Sequence, residues 1–197
     1  HIDDNTAALF LEFIQGEGGI NGVTNEFVEK INQLRVKHKF IVVADAIQDG
    51  IGRTGKPFSH NHFNFVPDII VLAKAIGGGL PLGAMLVSED YKNAFEVGTH
   101  GTTFGGNPVC CTAGTVVLKK VFEEGLMNSV KETGEYFKSK LIQLSQIHSS
   151  IKDVRGKGYM IGVEMDDDCT NIVAKLRSKF ILVNCTNTNV IRILPPL

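Results

Sequence analysis

Lys74 ends the apolar run Ile69, Ile70, Val71, Leu72 and stands just before Gly77, Gly78 and Gly79. A lysine at the end of a buried strand keeps its charge at a desolvation cost, and a neutral amine is what a Schiff-base lysine needs. Glycines beside it let the backbone approach a bulky ligand. Taken alone, the pattern is read first as a lysine that snorkels from a strand end. Asp45 closes a second apolar run that starts at Phe40. Parallel strands put their C-terminal ends on one edge of the sheet, where open α/β folds bind ligands. A carboxylate there can pair with a pyridinium nitrogen, keep it protonated and strengthen the ring as an electron sink. Gln48, a turn further on, can bond a phenolic oxygen or the ring edge. The stretch from Gly98 to Pro108 has the parts of a phosphate cradle: hydroxyls of Thr102 and Thr103, free backbone N–H groups at Gly105 and Gly106, and a helix start at Pro108. Asn107 and Pro108 alone would also make an ordinary capped helix.

Two nucleotide motifs fail in context. Gly50, Gly52 and Gly55 spell GxGxxG after a buried strand, but Lys56-Pro57-Phe58-Ser59-His60 follows without helical period, so no helix N-terminus faces a pyrophosphate. The same stretch fits GxxxxGK, yet Pro57 stands where a P-loop needs a Ser or Thr hydroxyl. His60 and His62 lack an accompanying ligand set, so loop histidines without metal are expected. Asp166 to Asp168 reads as a solvated turn, since no calcium-loop spacing follows. Four cysteines without CxxC spacing read as free thiols of a reducing cytosol rather than disulfides or zinc ligands.

The elements that must position these residues alternate strand and helix, the signature of an α/β fold with a mainly parallel sheet. Ala7–Ile14 reads as a strand running into a glycine-rich turn at Gly16–Gly19. Thr24 is a candidate N-cap for a helix whose stripe is Phe27, Ile31, Leu34. Phe40–Ile47 and Ile69–Leu72 have the β-branched character of strands buried on both faces, and Ala84–Val87 is a further strand. Helices are expected from Pro108 towards Glu123 and over Met127–Ile147. Beyond Val154 a strand (Tyr159–Met165), a helix (Ile172–Phe180) and two strands (Ile181–Cys185, Val190–Leu194) suggest a smaller α+β domain. The boundary falls near residues 122–126, giving units over 1–124 and 125–197. A net charge of −1 with no basic stripe argues against nucleic acid, and no apolar run has the length of a membrane span. Both ends look cut, as in a piece of a larger cytoplasmic protein.

Four long segments, in order along the chain, resemble the class-III aminotransferases. They are Ala44 to Lys56; Pro67-Asp68-Ile69-Ile70 through Lys74-Ala75-Ile76-Gly77-Gly78-Gly79-Leu80-Pro81-Leu82-Gly83-Ala84; Gly98 to Pro108; and Arg155-Gly156-Lys157-Gly158-Tyr159-Met160-Ile161-Gly162. The resemblance implies the type-I fold of pyridoxal-phosphate enzymes, with residues 1–124 as the C-terminal part of the large cofactor-binding domain and 125–197 as an incomplete small domain. It implies that Lys74 binds the cofactor covalently and moves the catalytic proton, that Asp45 meets the pyridine nitrogen, and that Gln48 lies beside the ring oxygen. Thr103 would hold the cofactor phosphate of the neighbouring subunit, so a homodimer with a shared active site is implied, and no metal.

The same resemblance matches Glu17, in Gln15-Gly16-Glu17-Gly18-Gly19, to a glutamate that pairs with an arginine here at Arg192. In family members that take both an ω-amine and glutamate, the closed pair leaves room for the amine and the open pair frees the guanidinium for a carboxylate. An ordinary ion pair between strand ends is the plain alternative. By the same resemblance, Leu182-Val183-Asn184 and the Arg192 segment look most like the family branch that transfers the terminal amino group of N-acetylornithine to 2-oxoglutarate, a step of arginine biosynthesis that yields a semialdehyde and glutamate. Ornithine or 4-aminobutyrate as the amine, or a non-catalytic remnant, are the alternatives. Three positions depart from the family: Ala46 replaces a glutamate, Asp49 replaces a small polar residue and adds negative charge near the cofactor edge, and Phe13 replaces a proline. The family chain is about twice as long, so this stretch alone is expected to be inactive.

Overall fold

The computed structural model describes residues 1–197. Its first part contains β1 (Ala8–Leu11), α1 (Asn25–His38), β2 (Ile41–Asp45), β3 (Ile69–Leu72) and β4 (Ala84–Val87). The strands form one sheet in the order β1-β2-β3-β4, with the first three parallel and β4 antiparallel at the edge. β2 lies inside this sheet and buries Val42, Val43 and Ala44, as its unbroken apolar sequence requires. The Thr24 hydroxyl caps α1 by accepting from Phe27 N at 3.2 Å. Val28 and Ile31 then pack on Phe13, Phe40, Val42 and Phe65. Arg35, near the end of α1, pairs with Asp68, whose other carboxylate oxygen accepts from Val42 N at 2.7 Å. That contact ties the helix to β2 and to the start of β3.

The second part contains α2 (Pro108–Phe122), α3 (Leu126–Ile147), β5 (Ile151–Lys157), β6 (Met160–Met165), α4 (Thr170–Ser178), β7 (Asn184–Thr186) and β8 (Val190–Ile193). The Asn107 side chain accepts from Val109 N and Cys110 N at 3.0 and 3.3 Å, with Pro108 at the first helical position of α2. The four strands form an antiparallel sheet, β5-β6-β8-β7, over a core of Val154, Ile161, Val163, Met165, Cys169 and Ile191. Phe137 and Leu141 of α3 cover that core. The fold is therefore α/β, with a mostly parallel sheet and flanking helices.

The two sheets are locked together where α3, the β5–β6 turn and the loop after β2 meet. A Cβ on Gly134 would lie 2.4 Å from the carbonyl oxygen of Gly158, and one on Gly158 would lie 2.6 Å from the backbone of Thr54. Tyr159 N bonds Arg53 O at 2.9 Å across the same seam. A second join is made by Ile14, Ile20 and Met160, all fully buried. Ile20 sits there at φ 58°, a left-handed conformation that a β-branched residue adopts only when its surroundings hold it.

Three expectations need correction. Ile151–Lys157 is a strand where the sequence reading placed none, although only Val154 in it is buried. β7 begins later than Ile181, because its register is set by pairing Asn184 with Arg192. Cys169 and Cys185 form a disulfide, with Cα atoms 5.8 Å apart, leaving only Cys110 and Cys111 as free thiols. Cys169 is the residue before α4 and Cys185 is the middle of β7, so the tertiary fold brings together two cysteines whose spacing carries no signature.

Candidate active site at the C-terminal ends of the parallel strands

β1, β2 and β3 are parallel and adjacent, so the segments that follow them emerge on one edge. Glu12 and the turn carrying Glu17 follow β1, Asp45 and Gln48 stand at the end of β2, and Lys74 follows β3. Lys74 opens a 3-10 turn over Lys74–Gly77 with φ 51°, a strained position of the kind that clusters at functional sites. α2 fixes that turn: a Cβ on Gly114 would meet Ile76 O at 3.2 Å, and one on Gly78 would meet Val117 at 2.8 Å. Lys74 is exposed, not desolvated as its sequence context suggested, and its amine has neither a hydrogen-bond partner nor an ion pair. Asp45 is half-buried, accepts from Ile47 N at 3.1 Å and has no cationic partner. A free amine and an uncompensated carboxylate therefore share the edge.

Arg192 of β8 reaches this edge from the second sheet, with its side chain 10% exposed. Its Nη1 donates to Glu17 Oε1 at 2.6 Å, Gln48 Oε1 at 3.0 Å and Gly16 O at 2.9 Å, while Nε donates to Asn184 Oδ1 at 3.2 Å. Gln48 Nε2 reaches Glu17 Oε1 at 3.4 Å, so the amide bridges both members of the pair. The hydrogen bond from Arg192 holds the Glu17 carboxyl below the usual carboxylate range, helped by the nearby charges of Arg192 and Lys74. Glu17 is 73% exposed against the 10% of Arg192, so the carboxylate is the member free to move. The main chain presses Gln48 into place, since a Cβ on Gly16 would lie 2.4 Å from its amide.

The structure thus brings Glu17, Gln48 and Arg192 into direct contact, with Asp45 and Lys74 on the same edge. Thr103 stands apart: it is exposed and makes no hydrogen bond within the chain. Sequence reasoning missed what holds the Glu17 turn. Gly16 N donates to Glu12 Oε2 at 2.7 Å, Arg155 Nε to Gly19 O at 2.8 Å, and the Thr186 hydroxyl to Glu17 O. Arg155, itself a residue of β5, is ion-paired with Glu164 and Asp153. Arg155 and Thr186 lie more than a hundred residues from the turn in sequence, and no local pattern announces them.

Asp49 was expected to add charge at the cofactor edge; instead it is 1% exposed. Burial pushes its carboxyl up to about 7, against the hydrogen bonds from Ser59 and from Ile14 N, the latter at 3.2 Å. Its Oδ1 has no partner. Ala46 lies in an apolar cluster with Ile51, Leu72, Ile76 and Val121, and Phe13 packs against Phe63 and Phe65, so neither departure touches the polar site. His60 stacks on Phe58, and His62 Nε2 bonds the Thr54 hydroxyl at 2.9 Å. Burial, with Lys157 and Lys56 nearby, lowers His62 to about 4. No helix is long and apolar enough to cross a membrane.

Comparison with known proteins agrees with this geometry. The profile of the aminotransferase class-III family matches residues 1–197. The chain is 44% identical over 196 residues to an acetylornithine aminotransferase of Aquifex aeolicus, covering all of this chain and 50% of that protein. It is 42% identical over 197 residues to ornithine aminotransferase 1 of Staphylococcus aureus strain MRSA252, again covering 50% of it. The crystal structure of ornithine aminotransferase from Toxoplasma gondii ME49 superposes with a TM-score of 0.92 at 34% identity, over 98% of this chain and 47% of that one. The acetylornithine aminotransferase of Elizabethkingia anophelis gives 0.88 at 34%, over 96% and 49%. The chain spans about half the length of these relatives. Sequence and fold together show that it belongs to the class-III aminotransferases.

Proposed function

We propose that the full-length protein is a pyridoxal-phosphate-dependent aminotransferase that moves the terminal amino group of N-acetylornithine to 2-oxoglutarate, giving a semialdehyde and glutamate. The observation that carries this reading is the gathering of Glu17, Asp45, Gln48 and Lys74 on one sheet edge, with Arg192 bonded to Glu17 and Gln48. The residues present fit the cofactor: Lys74 offers an uncommitted amine and Asp45 a carboxylate with no other cation. When bound, pyridoxal phosphate supplies an electron sink for the pair left at the substrate carbon.

In this reading Lys74 Nζ holds the cofactor and takes and returns the proton at the substrate carbon. Asp45 keeps the ring nitrogen protonated, and Gln48 serves the ring oxygen while its amide still senses the Glu17–Arg192 pair. Thr103, uncommitted within its own chain, binds the phosphate held by a partner subunit in a homodimer. The exposed Glu17 closes Arg192 while an amine substrate is bound and swings away to admit a dicarboxylate, which the guanidinium can grip with two parallel bonds. Residues 1–124 belong to the large domain and 125–197 to the small one, and the protein works in the cytoplasm.

The test is glutamate production by the full-length protein from 2-oxoglutarate with N-acetylornithine, ornithine or 4-aminobutyrate. The reading expects the highest kcat/KM for N-acetylornithine. A higher value for either other amine reassigns the substrate, and no glutamate with any of them overturns the activity.

A further inference from the structure

Strand β7 carries two side chains into the Glu17–Arg192 pair. Asn184 and Thr186, two apart along the strand, share one face of it. The Asn184 amide oxygen accepts from Arg192 Nε, and the Thr186 hydroxyl donates to the backbone carbonyl of Glu17. Between them Cys185 points the other way and is bonded to Cys169, the residue before α4. The turn that returns the chain to β8 is held as well, since Cys169 N donates to Thr188 O at 3.2 Å. β7 is therefore pinned from behind while its front face grips both partners of the pair. Thr186 is buried at 6% exposure, so its hydroxyl has little water to turn to.

We propose that Asn184 and Thr186 are positioning residues that set which carboxylate Arg192 binds, and that they act with opposite sign. This rests on the proposed use of Arg192 for a dicarboxylate substrate. Asn184 fixes the plane of the guanidinium through Nε, while Nη1 faces the position that the Glu17 carboxylate occupies. Without it the guanidinium turns, and an incoming dicarboxylate loses its two-pronged contact. Thr186 instead fixes the backbone of Glu17, the internal competitor. Without that tether Glu17 loses part of its advantage over an external carboxylate, because holding its own chain in place again costs entropy. Opening of the pair is then a movement of the Glu17 side chain against a fixed backbone and a fixed arginine.

The experiment is calorimetric binding of glutarate, a dicarboxylate that cannot react, to the full-length protein and its variants. Asn184→Ala is expected to weaken glutarate binding about tenfold, the worth of one charge-assisted hydrogen bond. Thr186→Val is expected to tighten it several-fold. The conservative variant Thr186→Ser keeps the hydroxyl, so it should return to within about twofold of wild type. Shifts of the same sign in Asn184→Ala and Thr186→Val, or no rescue by Thr186→Ser, overturn the inference, as does a wild type that does not bind glutarate. Opposite shifts in a protein that transaminates no ω-amine would sustain the inference and remove the activity reading.

Discussion

Replacing Asp49 by asparagine should change how stability depends on pH. Its carboxyl rises from 3.8 to about 7 because burial penalises the ionised form more than the hydrogen bonds from Ser59 and Ile14 N favour it. Below about pH 4 the group is protonated in both the folded and unfolded chains and contributes nothing to the slope. Between about 4 and 7 the folded chain binds a proton that the unfolded chain has released, so stability falls as pH rises. Above 7 the penalty is constant. Each pKa unit is worth about 1.4 kcal/mol, so the full penalty is on the order of 4 kcal/mol, of which about 3 develops between pH 5 and 8. Asparagine cannot ionise, and its oxygen can still accept from Ile14 N. Any fixed cost of the extra amide protons shifts the asparagine profile without tilting it. Urea denaturation of the two full-length proteins from pH 5 to 8.5 reads the difference directly. The advantage of wild type over Asp49→Asn should shrink, or its deficit grow, by about 3 kcal/mol across that range. Profiles that stay parallel within about 0.5 kcal/mol would refute the burial argument.

Other perturbations separate the seams of the fold from the site. Gly134→Ala places a methyl 2.4 Å from the Gly158 carbonyl oxygen, where only backbone can give way, and should cost about 1–3 kcal/mol in thermal unfolding. Gly16→Ala pushes on the flexible end of Gln48 instead, so the fold should survive while a crystal structure shows the amide displaced from Arg192. Reduction of Cys169–Cys185, which closes a loop with a sequence separation of 16, should destabilise the protein by about 3 kcal/mol, matched by Cys169→Ser under oxidising conditions.

How far the sequence could be read depended on whether the deciding contact was local. Thr24 and Phe27 lie within one helical turn, and Pro108 and Asn107 are adjacent, so both helix starts followed from cap chemistry. Ile69–Leu72 and Ala84–Val87 fell where their apolar runs fell. β5 escaped because its partners, not its own alternation, make it a strand: Arg155 and Asp153 share one side of it and pair with each other. In the site, the ends of parallel strands carried Asp45 and Lys74 to the expected edge. The contacts that hold Glu17 come from Thr186 and Arg192, more than a hundred residues away in sequence, and no periodicity in either segment encodes that meeting. Asp49 misled because an aspartate after a strand usually faces solvent, whereas here the glycine-rich turn folds over it through Ile14.

The central claim is that Lys74 holds the cofactor. Full-length protein incubated with pyridoxal phosphate, reduced with borohydride and digested should yield a peptide carrying one reduced cofactor on Lys74. The adduct should be absent from Lys74→Ala. An unmodified Lys74 peptide, or an adduct that persists in Lys74→Ala, would contradict the account.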